Sequence, residues 1–456
     1  MTQSTAEQRE NIHTIAREIT AALRRDDTAE AVRLLTSLHY ADQADVFDAL
    51  DDETQDRLLS LLDISTTADL LEELEEADAV EAVEDMSTER LADVLDEMEP
   101  DEAADLLGDL PPEQASALLE EMEDSDEVLP LLKYPDDTAG GLMTTSFIAL
   151  QRGTTTQEAI EYLRAVGPDV NVPYYLYVED EEGRLIGIVG MRELVVAAPE
   201  TPIERIMDPE VIYVRADEDQ EEVARVMTRY DLTAIPVVDD DGRLIGVITY
   251  DDILDVVEDE VTEDIYHMAN VSDAELTPES PVWQQVRGRL PWLLVNTGTA
   301  AFAAWVVSHY EGSISQVAAL AVFQSMVTGQ GGNAGSQNVA MMVRAIALGD
   351  LESRQMLPIL YKQALVGLVQ GLAVGAVVGV GAYLWRGNPY LALVVGLALV
   401  GNLLIGGLVG TVVPTALKWL KLDPALASSV FVTAVTDSGG FFIYYTLAGM
   451  VLGHLK

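Results

Sequence analysis

Between residues 290 and 453 the chain holds five long, almost uncharged stretches, at 290–308, 312–343, 363–385, 387–417 and 424–453. Each can supply an apolar helix of roughly 20 residues, the length that crosses a bilayer. In hydrocarbon the backbone must satisfy its own hydrogen bonds, so such runs are expected to fold as a bundle of spanning helices. Five crossings place the two ends on opposite sides. With residue 1 in the cytosol, Arg287, Arg289, Arg344, Arg354, Lys362, Lys418 and Lys421 fall inside, and Arg386 and Lys456 outside, as the positive-inside rule asks. Asp437 is the only strongly ionisable side chain between Pro424 and Gly453. A lone carboxylate at that depth is costly unless it faces a water-filled path or a cation. Thr433, Thr436, Ser438, Gly439 and Gly440 make its surroundings small and polar. The second span carries Gly329-Gln-Gly-Gly-Asn-Ala-Gly-Ser-Gln337, where glycines allow close helix approach and Asn333 and Gln337 reach water. Asp437, Asn333, Gln337, Thr433 and Thr436 are therefore expected along a pore wall. Helix packing alone also accounts for the glycines.

Charge is divided very unevenly. Residues 281–456 hold nine Lys/Arg and five Asp/Glu, so the first 280 carry a net charge of −56 against −52 for the whole chain. A basic footprint for nucleic acid is absent. Acidity on this scale reads chiefly as a surface solvated in high salt, with cation binding by a subset of the carboxylates. The chain has no cysteine, which excludes disulfides and thiolate metal sites. Residues 1–25 are polar and lack the apolar core of a secretion signal, so this end is expected in the cytosol.

Residues 1–135 read as short amphipathic helices with a 12-residue repeat. Thr88-Glu-Arg-Leu-Ala-Asp-Val-Leu is followed by Pro100-Asp-Glu-Ala-Ala-Asp-Leu-Leu and Pro112-Glu-Gln-Ala-Ser-Ala-Leu-Leu, as in a stacked helical superhelix. Lys133-Tyr-Pro-Asp-Asp-Thr-Ala-Gly-Gly reads as a linker. Two strand-like phrases, Tyr174-Tyr-Leu-Tyr-Val and Ala234-Ile-Pro-Val-Val, then lead into Gly183-Arg-Leu-Ile-Gly-Ile-Val and its copy Gly242-Arg-Leu-Ile-Gly-Val-Ile, 59 residues later. Leu142-Met-Thr and Ile206-Met-Asp open the two copies. This tandem pair of β-α-β-β-α units, at 136–200 and 201–255, resembles the CBS domain pair. From residue 251 to 282 a connecting helix is expected, with Asp252, Asp255, Asp259 and Glu263 on one face and Leu254, Val257, Val261, Ile265 and Met268 on the other. A solvated face or multidentate cation binding both account for the acidic stripe.

Acidic helical N-domain, CBS pair, acidic helix and five-helix domain (283–456), in that order, resemble the MgtE family of magnesium channels. The Gly331-Gly-Asn-Ala-Gly-Ser-Gln and Thr436-Asp-Ser-Gly-Gly phrases match that family's second and fifth membrane helices. The resemblance implies a multidomain α plus α/β membrane protein, a homodimer in lipid, with N-terminus inside and C-terminus outside. It implies that Asp437 meets hydrated Mg2+ on the permeation axis; Mg2+ dehydrates reluctantly. It also implies cytosolic Mg2+ sensing that closes the pore through Asp252, Asp255, Glu260, Glu263, Asp264, Glu221, Asp231 and the Gly140 carbonyl. The family's Asp-x-x-Ala-Asp pattern reads Glu89-Arg-Leu-Ala-Asp93 here, leaving Asp93 as the N-domain ligand. CBS pairs commonly bind adenine nucleotides through a hydroxyl residue and an acid three positions on. Thr249-Tyr-Asp-Asp252 fits, whereas Gly190-Met-Arg-Glu193 lacks the hydroxyl, so at most one ATP site per chain follows. A channel or carrier for Co2+ or Mn2+, or a CBS-based nucleotide-sensing signalling protein, are the alternatives; oxygen ligands alone do not select among divalent ions. Five scattered histidines form no hydrolase or metalloenzyme motif, so no enzyme is expected.

Overall fold

The computed structural model describes residues 5–166, 175–272, 276–278, 280–312, 318–349, 351, 356–426 and 428–455. The chain divides into two compact units, Met1–Val256 and Val257–Lys456.

The first unit begins with short helices: α1 (Thr5–Arg24), α2 (Thr28–Thr36), α3 (Tyr40–Asp48), α4 (Asp52–Leu59), α5 (Ile64–Glu72), α6 (Glu76–Val83), α7 (Thr88–Leu95), α8 (Pro100–Asp109), α9 (Pro112–Glu121) and α10 (Ser125–Val128). Part of the acidity serves to start them. Asp27, Asp51 and Asp63 accept hydrogen bonds from the amides of Glu30, Thr54 and Thr66 at 3.3, 3.0 and 2.9 Å. Each satisfies an amide that has no partner within its helix. The bonds from Thr54 and Thr66 hold the Asp51 and Asp63 carboxyls below their usual range. The closing apolar pairs of the first two repeats, Val94–Leu95 and Leu106–Leu107, are buried, whereas in the third Leu118 is buried and Leu119 half-buried.

Two β-α-β-β-α units follow. The first is β1 (Ala149–Gln151), α11 (Thr156–Val166), β2 (Tyr175–Glu179), β3 (Leu185–Gly190) and α12 (Met191–Val196). The second is β4 (Val214–Arg215), α13 (Gln220–Tyr230), β5 (Ala234–Val238), β6 (Leu244–Thr249) and α14 (Tyr250–Met268). In each sheet the first pair of strands is parallel and the second antiparallel. Tyr174, the expected first residue of β2, lies outside the described residues.

The repeated Gly-Arg-Leu-Ile-Gly phrase joins the two units. Gly183 and Gly242 share a φ of +79°, a turn that glycine adopts without strain. Leu185 N donates to Gly242 O at 3.1 Å and Leu244 N to Gly183 O at 3.2 Å. The opening segments are exchanged. Thr144 pairs with Val247 of β6, and Asp208 pairs with Ile188 of β3. Met143 thus covers Gly246 and Met207 covers Gly187, where a Cβ would meet sulfur at 2.5 and 2.6 Å. A cut at residue 200 therefore separates each opening segment from the sheet it completes. The helices α5–α10 share one core with the second CBS unit and the start of α14, through Leu107, Leu131, Val223, Ile248 and Ile253.

The helix expected over 251–282 is shorter: α14 ends at Met268, and Asn270 adopts a φ of +61°. Its apolar stripe is uncovered, with Leu254, Val257, Val261 and Ile265 all exposed, whereas Ile253 and Val256 are buried.

The second unit contains α15 (Val282–Ser308), α16 (Ala319–Ala347), α17 (Met356–Arg386), α18 (Pro389–Trp419), α19 (Ser428–Met450) and α20 (Leu452–Leu455). Among the described residues three helices, α15, α17 and α18, are long and apolar enough to cross a membrane. The other two long helices, α16 and α19, carry the polar phrases around Asn333 and Asp437. On α17, Gly367, Gly371, Gly375 and Gly379 form a bare seam against α18. A Cβ at Gly375 would stand 2.6 Å from the Gly396 carbonyl oxygen, so only glycine lets the two backbones meet.

Candidate functional site

In the first unit, burial gathers carboxylates around the start of α8. Glu99 precedes the helix and Pro100 begins it; Glu72 of α5 accepts the Glu99 amide at 2.7 Å. A negative charge here meets the positive end of the α8 dipole. Burial nonetheless pushes the Glu72 carboxyl up to about 7. Asp101 is buried, and among the described residues its Oδ1 has no hydrogen-bond partner. Burial, then the charges of Asp252 and Glu99, raise its carboxyl well above the ordinary range. Burial and neighbouring carboxylates take Glu102 to about 9 and Asp105 to about 7. Asp105 also feels the charge of Asp136, in the linker before Gly140. Asp252 belongs to the same group: burial raises its carboxyl, while the Thr249 hydroxyl and amide, donating at 2.6 and 3.1 Å, oppose the shift.

The N-domain ligand expected from the repeat is Asp93, and α7 leaves it exposed. Its neighbour Arg90 caps a helix end, donating to the carbonyls of Leu59 and Leu62 at 2.9 and 2.8 Å. Asp101-Glu-Ala-Ala-Asp105 spells the Asp-x-x-Ala-Asp pattern literally, one repeat later, and this copy reaches Asp252. The repeat alone does not distinguish this copy from the one that ends at Asp93.

The other expected sensor residues are spread out. Glu221 lies in the first turn of α13, and Asp231 follows its last residue with a φ of +52°. Ten residues of helix separate them by ~15 Å, too far to share one ion within a chain. Gly140 is buried, its amide donating to Ala216 O at 3.0 Å, and a Cβ there would enter the Tyr134 ring. Asp255 is exposed on α14, and Glu260 is half-buried.

Glu263 and Asp264 belong with the second unit, near a residue not singled out from sequence. Asp423 accepts the amides of Ala425 and Leu426 at 2.8 Å and approaches His267 Nδ1 at 2.8 Å; Glu263 lies 3.5 Å from the same nitrogen. Burial, then Asp423 and Glu263, push Asp264 up to about 6, with His267 opposing. Among the described residues, no three His, Asp or Glu side chains already converge as metal ligands. The chemistry of the Asp101 group still fits a hard divalent cation. It offers oxygen donors only, one of them a buried carboxylate oxygen with no protein partner.

In the second unit, Asp437 is half-buried on α19, and among the described residues no hydrogen bond or ion pair engages it. Asn333 and Gln337 are exposed on α16, and Thr433 is half-buried. Thr436 departs from the expected open wall. It is fully buried, and its hydroxyl donates to Val432 O at 2.9 Å within its own helix.

Sequence models of three families match in order. The MgtE intracellular N domain covers residues 38–137, the CBS domain 139–200 and 203–259, and MgtE, a divalent cation transporter, 324–447. Magnesium transporter MgtE of Thermus thermophilus is 41% identical over 328 residues, 72% of each chain. Magnesium transporter MgtE of Enterococcus faecalis is 36% identical, again over 72% of each. A crystal structure of the cytosolic domain of the Mg2+ channel MgtE in complex with ATP matches 53% of this chain and 99% of its own, at 39% identity and a TM-score of 0.50.

Proposed function

The chain belongs to the MgtE family of divalent cation transporters, and from that premise we propose that it is a Mg2+ channel of the cytoplasmic membrane, closed by Mg2+ on its cytosolic side. The observation that carries the reading is Asp437: a single acid on an otherwise uncharged helix, half-exposed and without a partner among the described residues. Such a group is not stable facing lipid. With Asn333 and Gln337, exposed on α16, Asp437 is proposed to line a water-filled path once a second copy of the chain covers it. Two Asp437 carboxylates then balance one hydrated divalent ion. In this reading all five long helices, α15–α19, cross the membrane, and the N-terminus lies in the cytosol.

Closure uses the cytosolic carboxylates. Burial first, and then neighbouring charges that include Asp252, raise the Asp101, Glu102 and Asp105 carboxyls, and a divalent ion bound among them would offset that repulsion. Asp255, Glu260, Glu263, Asp264, Glu221, Asp231, the Gly140 carbonyl and exposed Asp93 are proposed to bridge further ions. Thr249 and Asp252 are proposed to hold the ribose of ATP. The uncovered stripe of α14 supports a second copy as partner.

Reconstitution of the full chain into liposomes tests this. Mg2+ flux should exceed Ca2+, Co2+ and Mn2+ flux, and Asp437→Ala should lower Mg2+ flux about 100-fold, a barrier rise of ~3 kcal/mol. Asp437→Asn, which keeps shape but not charge, should fail likewise or lose selectivity. Normal Mg2+ flux through either variant, correctly inserted, would remove Asp437 from the path.

A further inference from the structure

Asn402 lies in the middle of α18, wholly buried where three helices meet. Its Nδ2 donates to the Val327 carbonyl of α16 at 2.7 Å. A Cβ added at Gly331 of α16 would overlap the same carboxamide, and one at Gly440 of α19 would stand 2.7 Å from Nδ2. The side chain thus fills the space left by two glycines on two different helices. Gly331 precedes Asn333 by two residues on one of them, and Gly440 follows Asp437 by one turn on the other. Among the described residues Asn402 Oδ1 has no partner, so this position carries an unmatched buried acceptor that an apolar residue would avoid. What the amide supplies in return is one directed bond and a flat wedge.

We propose that Asn402 is a positioning residue for permeation: wedged between Gly331 and Gly440 and bonded to the Val327 carbonyl, its carboxamide sets the spacing and rotation at which α16 and α19 present Asn333, Gln337 and Asp437. The proposal rests on the reading of Asp437 as the pore acid. An apolar seam permits a small slide or rotation, because any contact of similar size serves equally well. A hydrogen bond to one carbonyl does not, and misplacement of a binding group by about 1 Å is enough to degrade its action.

Two measurements on the full chain test it. Asn402→Leu keeps size and branching but deletes the bond. In proteoliposomes its half-saturating Mg2+ concentration should rise, and its Mg2+ over Ca2+ preference fall, by about fivefold, the worth of one net hydrogen bond. Unchanged half-saturation and selectivity would overturn the positioning role, since altered stability alone does not shift ion preference. The second measurement needs no transport. Gly440→Ala should lower the melting point of the detergent-solubilised parent, because its methyl meets Nδ2, and should cost much less in an Asn402→Ala background. Equal losses in both backgrounds would overturn the wedge. Asp437→Ala, assayed alongside, separates the two ideas: normal flux through it sinks the pore reading while the Gly440–Asn402 coupling stands or falls by itself.

Discussion

Glu72, Asp101, Glu102 and Asp105 sit where the fold favours their protonated forms. Burial raises each carboxyl above its unfolded value, to about 7 for Glu72 and Asp105 and about 9 for Glu102. The folded chain therefore binds more protons than the unfolded one across this range. The stability these groups contribute is fully present below the ordinary carboxylate range and is lost as pH rises through about 7 and then about 9. With divalent ions chelated, the transition of the first unit within the full chain should lie lower near pH 9 than near pH 6, by roughly 2–4 °C per kcal/mol lost. Asp101→Asn combined with Glu102→Gln should flatten the dependence, and excess Mg2+ should raise the melting point more at the higher pH. A melting point independent of pH in chelator would argue that these acids are not held against their charge.

At the scale of the element, α14 concentrates two opposite demands on one helix. Asp252 is enclosed beside Asp101, whereas Asp255 and Asp259 face solvent, and Leu254, Val257, Val261 and Ile265 are uncovered. In dilute buffer, repulsion among carboxylates acts over tens of ångströms and any salt relieves it. At 1 M salt the screening length is about 3 Å, so only ions bridging particular side chains still matter. Mg2+ should therefore protect α14 from proteolysis in molar KCl, whereas KCl alone should not. Under the proposed closure by Mg2+, neutralising Asp255 and Glu263 together should let Mg2+ flux persist at concentrations that stop it in the parent. Full protection by KCl alone would make nonspecific screening the gate.

For the molecule as a whole, the nucleotide site and the ion site proposed for the CBS pair share one residue. Asp252 accepts from Thr249 in the hydroxyl-acid arrangement proposed for ribose, and it also raises the proton affinity of Asp101. ATP binding, measured by calorimetry on the full chain in detergent, should fall about tenfold in Asp252→Ala, the loss of a hydrogen bond to a charged group. Protection of the first unit by Mg2+ should weaken in the same variant. Unaltered ATP affinity would place the nucleotide elsewhere or leave the pair as an ion-binding and structural module.

Domain order, both CBS repeats and the apolar helices were legible because each depends on local periodicity: the helical turn, strand alternation, and uninterrupted apolar length. Asp437 was legible for the same reason, as the single charge in a long uncharged run. Which copy of the N-domain repeat meets Asp252 was not. Thr88–Leu95 and Pro100–Leu107 are near-copies twelve residues apart, and periodicity cannot say which copy faces a partner. Packing decides it, turning Arg90 to cap α4 and burying Asp101 near Asp252. Thr436 and Asn402 make the same point in the second unit. Both are polar residues in apolar helices, indistinguishable from pore-lining groups by type. Only the meeting of three helices shows that Thr436 bonds within its own helix, and that Asn402 fills the gap left by Gly331 and Gly440. Sequence alone determined which helices form and where a charge had to be explained. Which side chains face one another was decided by close packing, because contacts between distant segments leave no period in the chain.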